Sequence, residues 1–143
     1  MHKVLVATDG SRHSDKALRT VKDLLRMKPD LEVTVLCVTD LPNNLFNPNS
    51  PEMTPASFEY SSSEATRKLL SSADEFFSMD GFEVRTLSKY GHPATVICEV
   101  AQYEGFDLIV VGSRGLGAVK GLFMGSISSK VAHMSSCPVL IVK

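Results

Sequence analysis

The stretch GSRGLGAVKGLFMGS, from Gly112 to Ser126, follows directly on the apolar run Leu108-Ile-Val-Val111 and decides how the chain is read. A continuous apolar run of this kind is typical of a strand buried on both faces, as in a parallel sheet. Gly112 and Gly115 at its end permit positive φ and close backbone approach. The pair Gly125-Ser126 then opens a stretch with helical spacing, and a helix N-terminus offers unpaired N–H groups and the positive end of a dipole. Strand, glycine loop and helix N-terminus together make a phosphate cradle. The same glycines also serve tight turns and close helix–sheet packing, with Ser126 as an ordinary N-cap.

Outward from this stretch, strand-like and helix-like segments alternate. Lys3–Thr8, Val33–Val38, Phe82–Leu87 and Val139–Val142 join Leu108–Val111 as strand candidates. Phe82, Val84 and Thr86 alternate with Glu83, Arg85 and Leu87, which reads as a half-exposed strand. Between them lie four stripes at helical spacing: Ala17, Val21, Leu24 and Leu25; Ala65, Leu69, Ala73, Phe76 and Phe77; Val96, Ile97, Val100 and Ala101; Ile127, Val131 and Met134. This alternation predicts a single α/β domain over residues 1–143, an open parallel sheet with helices on both faces. The Pro- and Asn-rich segment Asp40–Ser57 breaks the rhythm and reads as a long surface loop, with a lid or binding role open to it.

The 143 residues are 43% hydrophobic and 22% charged, with a formal net charge of −1. That balance gives no electrostatic pull toward nucleic acid or anionic membranes. No run approaches the ~20 apolar residues that span a bilayer. The opening MHKVLVATDGS reaches turn residues too early for a signal peptide. Cys37, Cys98 and Cys137 are irregularly spaced within apolar runs, which argues against a disulfide framework or a zinc site and for small core hydrophobes. A reducing, cytoplasmic location is expected. The histidines His2, His13, His92 and His133 show no metal-ligand spacing.

In open α/β sheets, ligands bind beyond the carboxyl ends of the strands where the strand order reverses. Two strands here end in suitable turns, Thr8-Asp9-Gly10-Ser11 and Gly112-Ser113-Arg114-Gly115. If these strands are neighbours, the two loops face each other across one crevice. Ser126 and Ser128 would then offer hydroxyls, and Arg114 and Lys120 positive charge. Asp9 and Ser11 either cap the first helix, or Asp9 serves a ribose hydroxyl or a Mg2+ ion bridging phosphates. No G-x-x-x-x-G-K-[ST] and no G-x-G-x-x-G follows the first strand, so two common phosphate-binding loops are excluded there. No Ser/His/Asp or Cys/His arrangement is visible. The last strand, Val139, Leu140, Ile141 and Val142, is apolar on both faces and reads as an unguarded edge, against Glu83, Arg85 and Lys89 on the opposite one. This favours an isologous homodimer through the C-terminal strand.

Gly112, Gly115, Gly125 and Ser126 meet the spacing G-x2-G-x9-G-[ST], by which the chain resembles the ATP-binding subgroup of the universal stress protein family. The resemblance extends to the opening strand with Asp9-Gly10-Ser11, to Val35–Val38, and to the closing Cys137–Val142. It implies a five-stranded parallel sheet in the order 3-2-1-4-5, a Rossmann-like, adenine nucleotide alpha hydrolase-like fold. It implies ATP across the two loops, with Thr8 and Asp9 near adenine and ribose and the Val38 backbone on adenine. Val111, Gly112, Ser113, Arg114 and Gly115, with Gly125, Ser126 and Ile127, would hold ribose and phosphates. A homodimer and a role in stress resistance are implied as well.

The expected function is a nucleotide-dependent sensor or switch. A slow Mg2+-dependent ATP hydrolase or nucleotidyl-transfer enzyme, with Asp9 its one nameable group, and a nucleotide-independent interaction protein are the alternatives.

Overall fold

The computed structural model describes residues 1–40, 55–115 and 124–143, with side chains in the second helix described from Ser63 onward. The described elements run β1 (Lys3–Ala7), α1 (Arg12–Met27), β2 (Glu32–Thr39), α2 (Pro55–Ser78), β3 (Arg85–Tyr90), α3 (Pro93–Glu104), β4 (Leu108–Gly112), α4 (Ser126–Met134) and β5 (Val139–Val142). All pairings are parallel and the order is β3-β2-β1-β4-β5. The chain therefore builds outward from β1 to one side, then returns to lay β4 on its other side. β1 and β4 are neighbours, in the register Val4↔Leu108, Leu5↔Ile109 and Val6↔Val110.

Period-2 alternation sorts the strand residues onto two faces. Val4, Val6, Val33, Val35, Cys37, Leu108 and Val110 pack under α1 and α2. Leu5, Leu36, Ile109 and Val111 turn the other way, under α3 and α4. Because both faces are covered, the central strands read as continuous apolar runs. Lys22, buried in α1, donates from Nζ to the Phe76 carbonyl, lies 3.4 Å from Asp80 Oδ1 and stands 3.8 Å from the Phe76 ring centroid. It fastens α1 to the end of α2.

Several sequence expectations shift. β3 spans Arg85–Tyr90 rather than Phe82–Leu87. Pairing with β2 begins at Thr34↔Arg85, while Phe82 and Val84 pack against the core beside the end of α2, before the strand starts. In α2 the buried stripe is Thr66, Leu70, Ala73 and Phe77; Ala65 is exposed. α2 starts at Pro55, so residues 55–57 are helical rather than loop, and residues 41–54 lie outside the described ones. In α4 only Val131 of the expected stripe is buried. Ile127 and Met134 are exposed, and Ser128 takes the inward place.

β5 forms one edge of the sheet. Ile109 N–H donates to Pro138 O and Ser113 N–H to Val142 O. Backbone groups alternate along a strand, so those of Val139 and Ile141 face the open edge. Among the described residues, no helix is long and apolar enough to cross a membrane.

Candidate functional site

The loops after β1 and β4 emerge side by side where the strand order reverses, the place at which open α/β sheets bind ligands. In the first loop Thr8 is buried, its N–H donating to Leu36 O at 2.9 Å and its Oγ1 lying 3.2 Å from Ser14 Oγ. Gly10 has φ 82°, a left-handed conformation that favours glycine. Ser11 caps α1 by accepting the Ser14 N–H at 3.3 Å, and Ser14 Oγ donates back to Ser11 O at 2.9 Å. Asp9 Oδ1 accepts the Ser11 N–H at 2.9 Å. The capping alternative thus describes Ser11, and Asp9 is oriented by the backbone it precedes.

In the second loop, Gly112, Gly115 and Gly125 all lack positive φ. Their need is space. A Cβ at residue 112 would lie 2.5 Å from His13 C and 2.7 Å from His13 O, so glycine there lets β4 end against the first turn of α1. A Cβ at residue 115 would lie 2.5 Å from Asp9 Oδ2. A Cβ at residue 125 would lie 3.3 Å from both Arg114 Cα and Ser113 O. Two of the three glycines therefore admit protein atoms from the first loop and first helix, and the two turns meet.

Gly125 is the N-cap of α4, with no side-chain cap, and Ser126 is the first helical residue rather than the cap. The N–H groups at the start of α4 thus lie beyond the reach of intrahelical carbonyls. Ser113 O accepts the Gly125 N–H at 2.6 Å and the Ser128 hydroxyl at 2.9 Å, pinning this helix end to the end of β4. Ser128 is buried and its hydroxyl also reaches Gly125 O at 3.2 Å. Its hydroxyl is directed inward, toward the Ser113 carbonyl. Ser126 and Ile127 are exposed at the helix start.

Val111 pairs with Ile141 and its side chain is buried under α3 and α4. Val38 pairs with Lys89 near the end of β2, and the following Thr39 places Oγ1 3.1 Å from Thr66 Oγ1 in α2. Burial pushes the Cys37 thiol up, a Thr66 hydrogen bond partly offsets this, and the Asp9 charge adds to the rise. A protonated, buried thiol is no nucleophile. Among the described residues, no group of His, Cys, Asp and Glu side chains could hold a metal ion. Gly117, Lys120 and Gly121 lie outside the described residues, as does Leu122-Phe123.

The sequence reading missed Ser14 and His13. Ser14 had a signal, since Ser11-x-x-Ser14 matches the reach of an N-cap to its third helical residue. His13 had none, because its role is a tertiary approach of backbone to Gly112.

The profile of the universal stress protein family matches residues 1–143. The chain belongs to that family. Universal stress protein YxiE of Bacillus subtilis is 34% identical over 149 residues, covering 99% of each chain. The solved structure of the protein MJ0577, a universal stress protein of Methanocaldococcus jannaschii, superposes with a TM-score of 0.84 at 29% identity, over 99% of this chain and 95% of that one. A universal stress protein from Archaeoglobus fulgidus, solved in complex with dAMP, shares the fold with a TM-score of 0.67 at 21% identity, over 100% of this chain and 98% of its own.

Proposed function

We propose that this universal stress protein binds ATP, carried in with Mg2+, and works as a nucleotide-dependent switch in a cytoplasmic homodimer. The observation that carries the reading is the meeting of the two turns, with Asp9 Oδ2 against Gly115 at the strand-order reversal. Thr8, Asp9, Gly10, Ser11 and Val38 form the base and ribose side. Val111, Gly112, Ser113, Arg114 and Gly115, with Gly125, Ser126 and Ile127, form the phosphate side. The uncapped start of α4 supports an anion there, since its N–H groups and dipole favour negative charge. The dAMP complex of the Archaeoglobus relative is a precedent for an adenine nucleotide in this fold.

Each residue has a definable part. Asp9, held by the Ser11 N–H, would present a carboxylate to ribose hydroxyls or to a phosphate-bound Mg2+. Ser128 would act indirectly, by fixing the helix start through Ser113 O. The open backbone of Val139 and Ile141 would pair with the same strand of a second copy.

The test is to release and identify any nucleotide carried by the purified protein. An adenine nucleotide in near-stoichiometric amount supports the reading. A protein free of nucleotide that also fails to bind added ATP–Mg2+ in calorimetry overturns it.

A further inference from the structure

Two of the three cysteines flank the end of α4. Cys98, in α3, lies with its Sγ 4.0 Å from Val131 O, and the same carbonyl accepts the Ser135 N–H at 2.9 Å where α4 ends. Ser135 Oγ is 3.5 Å from Cys137 Sγ, accepts the Cys137 N–H at 3.1 Å and donates to Cys137 O at 2.8 Å. Both thiols are free, partly buried, and packed on the same apolar cluster. Cys37 is buried on the opposite face of the sheet. Burial pushes the Cys98 thiol up, and a charge on Cys137 would push it further.

We propose that Cys98 and Cys137 are a modification site, joined as an intramolecular disulfide when the protein meets hydrogen peroxide. Cys137, partly buried, lies between the exposed Ser136 and Pro138. Its thiolate attacks one peroxide oxygen, forming an S–O bond, breaking O–O and releasing hydroxide. Cys98 sulfur then attacks Cys137 sulfur; the S–S bond forms, the S–O bond breaks, and the Cys98 proton leaves with the hydroxyl as water. The hydroxide takes up the proton that Cys137 lost on ionising, so two thiols lose two electrons and the peroxide is reduced to two waters. The bridge ties α3 to the residue leading into β5, and this inference stands apart from the nucleotide reading.

The full chain is treated with hydrogen peroxide, its free thiols are alkylated, and it is digested without reductant for mass spectrometry. A Cys98–Cys137 linked peptide from a monomer-sized band, lost on dithiothreitol and retained in Cys37→Ser, is expected. In Cys98→Ser, Cys137 is expected to be trapped by dimedone as a sulfenic acid instead. A bridge forms only where the Cα atoms stand within about 7 Å, so linkage itself reports that approach. Linkages confined to Cys37 or to separate chains, or a Cys98 still fully alkylated after Cys137 has been oxidised, would overturn the proposal.

Discussion

The Asp9 carboxylate occupies the space where a side chain at Gly115 would stand, with Oδ2 2.5 Å from the position of its Cβ. The second glycine of the spacing motif is thus explained by a carboxylate from another loop. Gly115→Ala displaces Asp9 while leaving the core intact. The expected result is a loss of ATP–Mg2+ affinity of about tenfold, or ~1.4 kcal/mol, by calorimetry. In Asp9→Ala the clash is gone, so adding Gly115→Ala to it costs little more. Strict additivity of the two losses would show that the residues act independently.

Gly112→Ala acts on stability instead. Its Cβ would meet His13 backbone atoms, which cannot swing aside as a flexible side chain can. Overpacking of this kind costs about 2–3 kcal/mol, read as a lower midpoint in urea at unchanged slope. A variant as stable as the parent would show that the end of β4 has slack against α1.

Ser128→Ala removes the hydroxyl bond to Ser113 O, which keeps the Gly125 N–H. Stability is expected to fall by about 1 kcal/mol. Nucleotide affinity falls too if the start of α4 holds phosphate, although Ser128 itself faces inward. Unchanged affinity would remove α4 from the proposed site.

Asp80 supplies a pH dependence. Its hydrogen bond from Arg26, followed by that from Lys22, holds its carboxyl below the usual range. A lowered folded value means that the stabilisation is complete above the ordinary aspartate value of about 3.9 and is lost as pH falls through the lower folded value. In urea titrations from pH 7 downward, Asp80→Asn is therefore expected to be less stable than the parent at neutral pH. The gap closes only below about pH 4. A gap independent of pH down to acid unfolding would contradict the assignment.

At the open edge, Leu140→Lys puts an ammonium on a strand that would face its own copy. Sedimentation equilibrium is expected to give a dimer for the parent and a monomer for the variant. A monomeric parent would leave β5 without the proposed partner.

Much of this architecture is legible in the sequence because burial on both faces writes itself as unbroken apolar runs. Val4–Val6 and Leu108–Val111 are recognisable on that ground alone, and with them the parallel sheet. β3 is less legible, since all of its residues but Leu87 are exposed and the nearby Phe82 and Val84 belong to the core beneath α2. Ser128 is hidden for a related reason: a serine buried to bond a carbonyl fifteen residues away reads as a surface residue. The glycines draw attention to the loop that meets Asp9 and His13, but spacing cannot say whether a missing Cβ makes room for a ligand or for those residues.

The most direct test of the central claim is thermal unfolding of the full chain with and without ATP–Mg2+ at a hundred times its measured Kd. Binding to the folded state alone adds about 2.7 kcal/mol, an upward shift in Tm of several degrees. The account expects that shift in the parent and its reduction in Gly115→Ala at the same ATP concentration. An unchanged Tm in the parent at millimolar ATP–Mg2+ would contradict it.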